Sequence, residues 1–409
     1  MPRPSAPQRA GVTLPARLLP VVAVAVVFVS ASGAQEPRAI TADAVRQQIE
    51  RALAIAPRNY ERLLTPSQAG VRVLDVEVQA SAPSSQTISI DLSQRALTYE
   101  PSGNIEPLLE QIIQATASAV GAMPLVDYRF TIDRLPLEQF LPRPPARATS
   151  ERQRVRGLAP SERQRVEGSR PARALADGGT ILVSPGHGWY WDETVSYWHL
   201  QRPRVRGIVE DLVNWDIARY AYDELLAANI NAQMGRYPER DETVGPSGQP
   251  RWQEAAKYFI QSLAAPEGVW NFGADDYARD INSRPFYANW LDASAVISIH
   301  NNGGEETGTE TWYDGTNGYQ EESRRLAEIV NRHVVSAIRT RYNARWVDRG
   351  LRTCDGCKGE NRLASRPAVI VEIAYMDTLT PDNDALHDDA FKRIVAQAIR
   401  ESVQEWAYR

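Results

Sequence analysis

Residues 367–376 read PAVIVEIAYM, an apolar run that carries one carboxylate, Glu372, at its centre. Successive Val and Ile residues are typical of a strand that is covered on both faces, as strands of parallel sheets are. A carboxylate inside such a strand is costly unless it is paired or bound to a metal. Because local rules are most often broken at functional sites, the stretch predicts a buried strand over 368–374 with a chemical role for Glu372.

Two further apolar runs each lead into a histidine. The run ILV at 181–183 is followed by SPGHG, which contains His187, and VISIHNN at 296–302 contains His300. Ligands in open α/β sheets gather at the carboxyl ends of the strands. The glycines on either side of His187 allow a sharp turn and a close approach of the backbone to a bound group. Both histidines are therefore candidate functional residues.

Glu210 opens a predicted helix whose apolar residues recur every four positions from 213 to 225. The helix dipole alone would favour a carboxylate there, which is the purely structural interpretation. Two His and one Glu also form a known catalytic zinc set with an open fourth position. We therefore predict a Zn²⁺ site formed by His187, Glu210 and His300. Glu372 is predicted to accept a proton from water and pass it to the leaving amine.

From Gly179 to the end, short apolar strands alternate with amphipathic helices. This alternation predicts an α/β fold with a mixed, mostly parallel sheet flanked by helices on both faces. Strands are predicted at 180–183, 231–234, 295–300, 309–313 and 368–374. Helices are predicted at 210–226, 252–263, 277–291, 319–339 and 388–408.

These motifs, in this order, resemble the Amidase_3 family of zinc-dependent N-acetylmuramoyl-L-alanine amidases. The resemblance implies that the PGHG turn, the Glu at the helix start and the SIHxN strand end supply the three zinc ligands, at His187, Glu210 and His300. It implies that the PAVIVE strand supplies the catalytic acid/base, Glu372. Lesser matching elements are GRYPERD, GTETWYD, and DINSRPFYANW with Arg284 and Asn289. The expected substrate is peptidoglycan, cut between N-acetylmuramic acid and L-alanine.

Two insertions depart from the family pattern. The first, WYWDETVSYWH after His187, contains Glu193 and His199, which are alternative metal ligands. The second lies between Asp241 and Arg284. The insertions either wall a substrate groove with aromatic rings or pack as additional surface. The rings of the second insertion include Trp252, Phe259, Trp270 and Phe272.

The remaining histidines are expected to have no functional role, and the two cysteines are expected to be structural. His333 lies among valines of a predicted helix and is expected to pack there, whereas His387 lies in a polar loop and is expected to be solvated. Cys354 and Cys357, in CDGC, are expected to form a local disulfide in an oxidising compartment. A structural zinc site would need two more ligands nearby, and the sequence contains no second cysteine pair.

Residues 1–34 read as a signal peptide: three arginines, an apolar run at 18–29, then the small residues SASGA. The run is shorter than the roughly 20 residues that a membrane span needs, although an uncleaved anchor is the alternative. We therefore expect an exported protein, in the periplasm, cell wall or medium, that is not inserted in the membrane after cleavage. Loss of three arginines takes the net charge from −5 to −8. An acidic chain is a poor candidate for nucleic-acid binding.

Between the signal peptide and the α/β region, residues 40–140 predict a small α+β domain. Helices are expected at 41–55 and 105–120, and strands at 71–78, 87–92 and 126–132. The segment ISIDLSQRALTYEPSG, a helix and then VDYRFTID resemble the GerMN domain. Residues 141–178, rich in Pro and Arg with the repeat SERQRVRG/SERQRVEG, predict a linker. The net positive charge of this linker either attracts anionic wall polymers or keeps a spacer soluble.

Two rival functions stay open at this point. The same zinc chemistry could serve another amide or peptide, since specificity would lie in the inserted loops. A wall-binding protein could keep the fold without turnover, but the presence of all four chemical residues argues against this. The sequence does not indicate an activator protein.

Overall fold

The computed structural model describes residues 40–54, 70–82, 84–98, 105–141 and 179–408. Residues 40–409 form one compact unit. The predicted signal peptide lies outside the described residues, as does the predicted linker after Leu141. Within the described ranges, no helix combines the length and the apolar character needed to cross a bilayer.

The described residues contain fourteen strands, and ten of them form one sheet. They are β1 (Val73–Ala82), β2 (Ser85–Leu92), β3 (Leu125–Ile132), β4 (Leu135–Pro136), β5 (Ile181–Pro185), β6 (Trp189–Asp192), β7 (Tyr197–Leu200), β8 (Arg204–Val205), β9 (Ile208–Val209), β10 (Ala232–Met234), β11 (Ala295–Asn302), β12 (Thr309–Tyr313), β13 (Asp348–Cys354) and β14 (Ala368–Tyr375).

The large sheet has the order β1-β2-β3-β13-β12-β14-β11-β5-β10, with β4 paired to β3. Six of its nine pairings are parallel and three are antiparallel. The predicted mixed, mostly parallel sheet is thus confirmed. Strands β6 and β7 form a separate antiparallel pair, and so do β8 and β9.

The described helices cover both faces of this sheet. They are α1 (Ala42–Ala54), α2 (Glu106–Val120), α3 (Glu210–Ala227), α4 (Ala256–Ser262), α5 (Glu267–Trp270), α6 (Asp276–Leu291), α7 (Gln320–Arg341), α8 (Gly359–Arg362), α9 (Asp384–His387) and α10 (Asp389–Tyr408).

Alternate side chains of the central strands enter different cores, as the two-residue period of a strand requires. Val369 and Val371 of β14 pack in the core that α3, α7 and α10 cover. Ile370, between them, packs on the opposite face with Trp312 of β12 and residues of α2. Glu372 is two residues beyond Ile370, so its side chain belongs to the α2 face. Because both faces of β14 are covered in this way, every residue of the strand is buried.

All five elements predicted in residues 40–140 form, within a few residues of the expected bounds. The last of these strands, β3, pairs in parallel with β13, where Leu351 lies opposite Leu125 and Cys354 opposite Tyr128. Strands β1 to β3 therefore extend the sheet that carries the histidines. The strand β13 itself was not predicted, because its sequence DRGLRTC has neither an apolar run nor a clear alternation.

The predicted helix at 252–263 is wrong in its first part. A short 3₁₀ turn covers Arg251–Gln253, and α4 begins only at Ala256. Between them the backbone is extended, because its polar groups bind elsewhere. The Ala255 amide donates to the Trp189 carbonyl at 2.9 Å, and the Glu254 carbonyl accepts from Arg236 Nε at 2.9 Å.

Candidate metal centre and active site

The turn after β5 brings His187 towards the end of β11. His187 has a positive φ of 64°, which few residues with a side chain adopt. Gly186 must lack a side chain because a Cβ there would lie 2.3 Å from the His300 ring. The glycine therefore allows the two imidazoles to approach, with ring centroids 4.8 Å apart at an interplanar angle of 90°.

Three donor atoms form a nearly equilateral triangle. His187 Nε2 lies 3.2 Å from His300 Nδ1 and 3.2 Å from Glu210 Oε1, and His300 Nδ1 lies 3.5 Å from the same carboxylate oxygen. The three residues are only 2–7% exposed. Of the His, Cys, Asp and Glu groups in the described ranges, this is the one cluster arranged to hold a metal ion.

The triangle fits a tetrahedral zinc ion. Zinc binds His and carboxylate ligands at about 2.0–2.2 Å, so two ligands of a tetrahedron lie roughly 3.4 Å apart. The observed separations of 3.2–3.5 Å match this spacing. Three protein donors leave one coordination position open, which is the arrangement of catalytic rather than structural zinc.

Each histidine is oriented by an outer hydrogen bond from its second ring nitrogen. His187 Nδ1 lies 3.0 Å from Gln201 Oε1, and Gln201 Nε2 donates to Asp280 Oδ2 at 2.8 Å. His300 Nε2 lies 3.0 Å from Glu360 Oε1, and Glu360 is paired with Arg284. Because these contacts occupy the other nitrogens, Nε2 of His187 and Nδ1 of His300 are left for a metal.

Glu210 is held by contacts to both of its carboxylate oxygens. Oε1, the oxygen nearest the histidines, accepts from Asn214 Nδ2 at 3.1 Å and from the Asn301 amide at 3.2 Å. Oε2 lies 3.5 Å from Arg202 Nε. Although the burial of Glu210 opposes ionisation, the nearby His187, His300 and Arg202 hold its pKa well below the usual value. The carboxylate is thus ionised and available as a ligand.

The surrounding charges act differently on the pKa values of the two histidines. Burial, together with Arg202, lowers the pKa of His187. Burial would also lower the pKa of His300, but Glu360, Glu210 and Glu372 outweigh it and raise that pKa to about 10. The carboxylates around His300 thus favour a positive charge at this ring.

Glu372 lies beside this triangle and is only 3% exposed. It is opposite His300 in the parallel register of β14 and β11, so both side chains leave the same face of the sheet. Its Oε2 has no hydrogen-bond partner in the described part of the chain. Burial raises its pKa to about 8, against the opposing effect of His300 and Lys358. A carboxyl group with such a pKa can both accept and donate a proton near neutral pH.

A partly open pocket lies above these residues. Its lining includes groups that the sequence patterns did not single out: Glu106, Glu110, Arg202, Lys358 and Glu360. They lie in polar or mixed segments, where a charged residue breaks no local rule. Arg284, one of the residues that resemble the family pattern, pairs with Asp280 and Glu360 behind His300.

The alternative ligands of the first insertion lie elsewhere. His199 Nε2 is 3.0 Å from Asp192 Oδ2, and Glu193 pairs with Arg279 at 2.5 Å. Neither residue joins the triangle. His333 is paired with Glu405 at 2.8 Å, and His387 is an exposed residue near the Arg206 carbonyl. These positions agree with the packing expected for His333 and with the solvated side chain expected for His387.

The two insertions pack against each other. The first forms the β6–β7 pair, whose Tyr190 and Trp198 contact Tyr277 and Tyr258 of the second insertion. Tyr277 is the one ring of these four that also lines the pocket. The structure thus shows packing for most of these rings, and substrate contact by the insertions stays a prediction.

The expected disulfide between Cys354 and Cys357 is present. It joins the end of β13 to the segment before α8, and Cys357 lines the pocket. Lys358 and Glu360 follow directly. The disulfide therefore holds the loop that carries two of the pocket's charged residues.

Fold and site together define an α/β protein with a buried His-Glu-His cluster that could hold a metal ion, next to a carboxyl group of raised pKa. The chain matches the Amidase_3 family, described as N-acetylmuramoyl-L-alanine amidase, over residues 181–405. This match covers more than half of the chain. The protein belongs to this family and is an enzyme of the N-acetylmuramoyl-L-alanine amidase class.

Several solved amidase structures are similar at low sequence identity. AmiC2 of Nostoc punctiforme is 19% identical, with 57% of this chain and 98% of that chain covered and a TM-score of 0.39. Ami1 from Mycobacterium smegmatis is 18% identical, with 56% and 97% covered and a TM-score of 0.40. The CwlV catalytic domain from Bacillus (Paenibacillus) polymyxa var. colistinus is 20% identical, with 56% and 97% covered and a TM-score of 0.38. No curated protein matches the chain.

Proposed function

We propose that this chain is a zinc-dependent amidase that hydrolyses the bond between the lactyl group of N-acetylmuramic acid and L-alanine in peptidoglycan. The observation that carries the proposal is the triangle of His187 Nε2, Glu210 Oε1 and His300 Nδ1 beside Glu372. The buried Oε2 of Glu372 has no hydrogen-bond partner among the residues that the structure describes. A zinc ion bound there would polarise the scissile carbonyl and lower the pKa of water to about 7.

The reaction adds one water across the C–N bond, and Glu372 moves the proton that this requires. Its Oε2 takes a proton from the water as the oxygen joins the carbonyl carbon. The same carboxyl then delivers the proton to the amide nitrogen, which leaves as the free amine of L-alanine. A carboxyl group in an apolar strand suits this double role because burial brings its pKa close to neutral pH.

We further propose that the protein is exported and acts on the cell wall, with residues 1–34 as the leader. The basic start, the short apolar run and the small residues that follow support this. The disulfide between Cys354 and Cys357 is consistent with an oxidising compartment. The strand, helix and strand at residues 85–132 keep the order on which the GerMN resemblance rests, and we propose a domain of that kind there.

Metal analysis of single variants tests the ligand assignment. We expect one zinc per chain in the wild type and a sharp loss of zinc in His187→Ala and in His300→Ala, because each removes one of three donors. His333→Ala is the matched control, since His333 is bonded to Glu405 and lies outside the triangle. Full zinc content in both site variants would show that the assignment is wrong.

The reaction products test the substrate bond. Digestion of purified peptidoglycan should create new L-alanine amino termini and no new sugar reducing ends. New reducing ends would indicate a glycosidase. A new terminus within the stem peptide would indicate a peptidase.

A further inference from the structure

Helix α2 lies outside the region that matches the family, yet it forms one wall of the pocket. Its residues Leu109 and Ile113 share a core with Ile370 of β14, on the face from which Glu372 projects. Two residues of its first turns, Glu106 and Glu110, line the pocket itself. The N-terminal part of the chain therefore contributes side chains to the site.

We propose that Glu110 is a positioning residue for the metal centre. It anchors Arg202, and Arg202 in turn fixes the carboxylate of Glu210 so that one oxygen faces the metal. This inference rests on the proposed function, in which Glu210 is a zinc ligand.

The contacts form a continuous chain from α2 to the triangle. Glu110 Oε2 lies 2.8 Å from Arg202 Nη2, and Arg202 Nε lies 3.5 Å from Glu210 Oε2. The other oxygen of Glu210, Oε1, lies 3.2 Å from His187 Nε2. The guanidinium thus contacts one oxygen of Glu210 while the histidines contact the other. The carboxylate is oriented to give a metal a single oxygen.

The charge of Glu110 matters as much as its position. Arg202 is only 8% exposed, so its positive charge is poorly screened by water. Glu110 neutralises that charge and draws the guanidinium towards α2. Without it, Arg202 would pair more closely with Glu210, compete with a metal for that carboxylate and repel the metal itself.

The test compares zinc affinity, measured by competition with a chelator, in the whole chain and three variants. We expect Glu110→Gln to weaken zinc binding roughly 10-fold, within the range seen when outer partners of metal ligands are removed. Glu110→Asp keeps the charge but shortens the side chain, and it should lie between Glu110→Gln and the wild type.

Glu306→Gln is the matched control. Glu306 has the same side-chain exposure as Glu110, 26%, and pairs with a buried arginine, Arg349, at 3.1 Å. It should leave zinc affinity unchanged. The absorption spectrum of the cobalt-substituted protein provides a second readout, since a reoriented Glu210 changes the ligand field while a general loss of stability does not. We expect the cobalt spectrum of Glu110→Gln to differ from that of the wild type, and the spectrum of Glu306→Gln to match the wild type.

The outcomes separate this inference from the proposed function. Wild-type protein that binds no zinc would overturn both. Wild-type protein that binds zinc, with unchanged affinity and an unchanged cobalt spectrum in Glu110→Gln, would overturn the role of Glu110 alone. If Glu110→Gln does not fold, Glu110→Asp decides: wild-type affinity and spectrum in that variant would refute the role.

Discussion

Two buried glutamates lie side by side in the sheet and have opposite surroundings. Glu372 of β14 and Glu310 of β12 are partners in the antiparallel register, and they are 3% and 4% exposed. Glu310 Oε2 lies 3.3 Å from Arg349 Nε and 3.4 Å from Arg352 Nε. Glu372 Oε2 has no hydrogen-bond partner in the described ranges. The two carboxylates are almost equally buried, but Glu310 is paired with two arginines, whereas Glu372 can exchange a proton.

The pKa values of the two groups reflect this difference. Burial would raise the pKa of Glu310, but Arg352 and Arg349 outweigh it and lower that pKa below the usual value. The pKa of Glu372 is raised to about 8, mainly by burial. A buried carboxylate with two guanidinium partners acts as a structural ion, whereas one without such partners can exchange protons. Partners, rather than burial, distinguish the catalytic candidate from the structural residue.

The largest expected effect comes from Glu372→Gln, which keeps the size of the side chain but cannot accept a proton. Turnover of peptidoglycan should fall roughly 100- to 10,000-fold, the range for general acid/base catalysis. Zinc content should stay at the wild-type level, since Glu372 is not a proposed ligand. Wild-type turnover in this variant would remove the proposed mechanism.

The same substitution at the neighbouring glutamate, Glu310→Gln, should lower the free energy of unfolding. It leaves Arg349 and Arg352 short of a buried counter-ion, which costs roughly 3 kcal/mol of unfolding free energy. Urea denaturation followed by circular dichroism measures the loss. Zinc content and turnover of the folded fraction should change little. A large drop in turnover without a loss of stability would contradict the distinction between the two glutamates.

Breaking the disulfide should have a smaller effect. Cys354 ends β13, the strand of Arg349 and Arg352, and Cys357 lines the Glu372 pocket, so the bond links the two neighbourhoods. Its loop contains only two intervening residues, and closing so short a loop contributes about 2 kcal/mol or less. The double variant Cys354→Ser/Cys357→Ser should therefore unfold at slightly lower urea concentration. A loss as large as that of Glu310→Gln would contradict this estimate.

The smallest effect is the change in stability of the metal-free protein between pH 6 and pH 7. The pKa of Glu372 is about 8 when folded and 4.5 in its reference state. The folded protein holds a proton that the unfolded chain releases, so this group lowers stability as pH rises from 4.5 to 8. The loss is at most about 1.4 kcal/mol for each pH unit.

The contribution of Glu372 to this slope should be absent in Glu372→Gln, and urea denaturation of both proteins at pH 6 and pH 7 measures the difference. The contribution of Glu310 to stability depends on pH in the opposite direction, because the pKa of Glu310 is lowered on folding. Its stabilisation is lost only as the pH falls through that lowered pKa. Identical pH dependence in wild type and Glu372→Gln would indicate that the buried carboxyl titrates normally.

Much of the fold and site could be predicted from short motifs. The runs that lead to His187 and His300 predicted strands that end at the site, and the structure brings both side chains and Glu210 within 3.5 Å of one another. Glu372 was singled out because it interrupts an apolar strand. Glu310 interrupts the buried strand TETWY as well, and its sequence gave no sign that two arginines would satisfy it.

The sequence by itself determined most of the local elements and the identity of the proposed site residues, because strand and helix periods and the types of side chain at strand ends are properties of neighbouring residues. Only the tertiary structure decided which charges meet. Arg349 and Arg352 reach Glu310 through the pairing of β12 with β13, a strand without a clear pattern. Glu110 reaches Arg202, 92 residues further along the chain, because β3 pairs with β13 and α2 then covers the Glu372 face of the sheet. Such contacts depend on strand order and register over long separations, which no local pattern encodes.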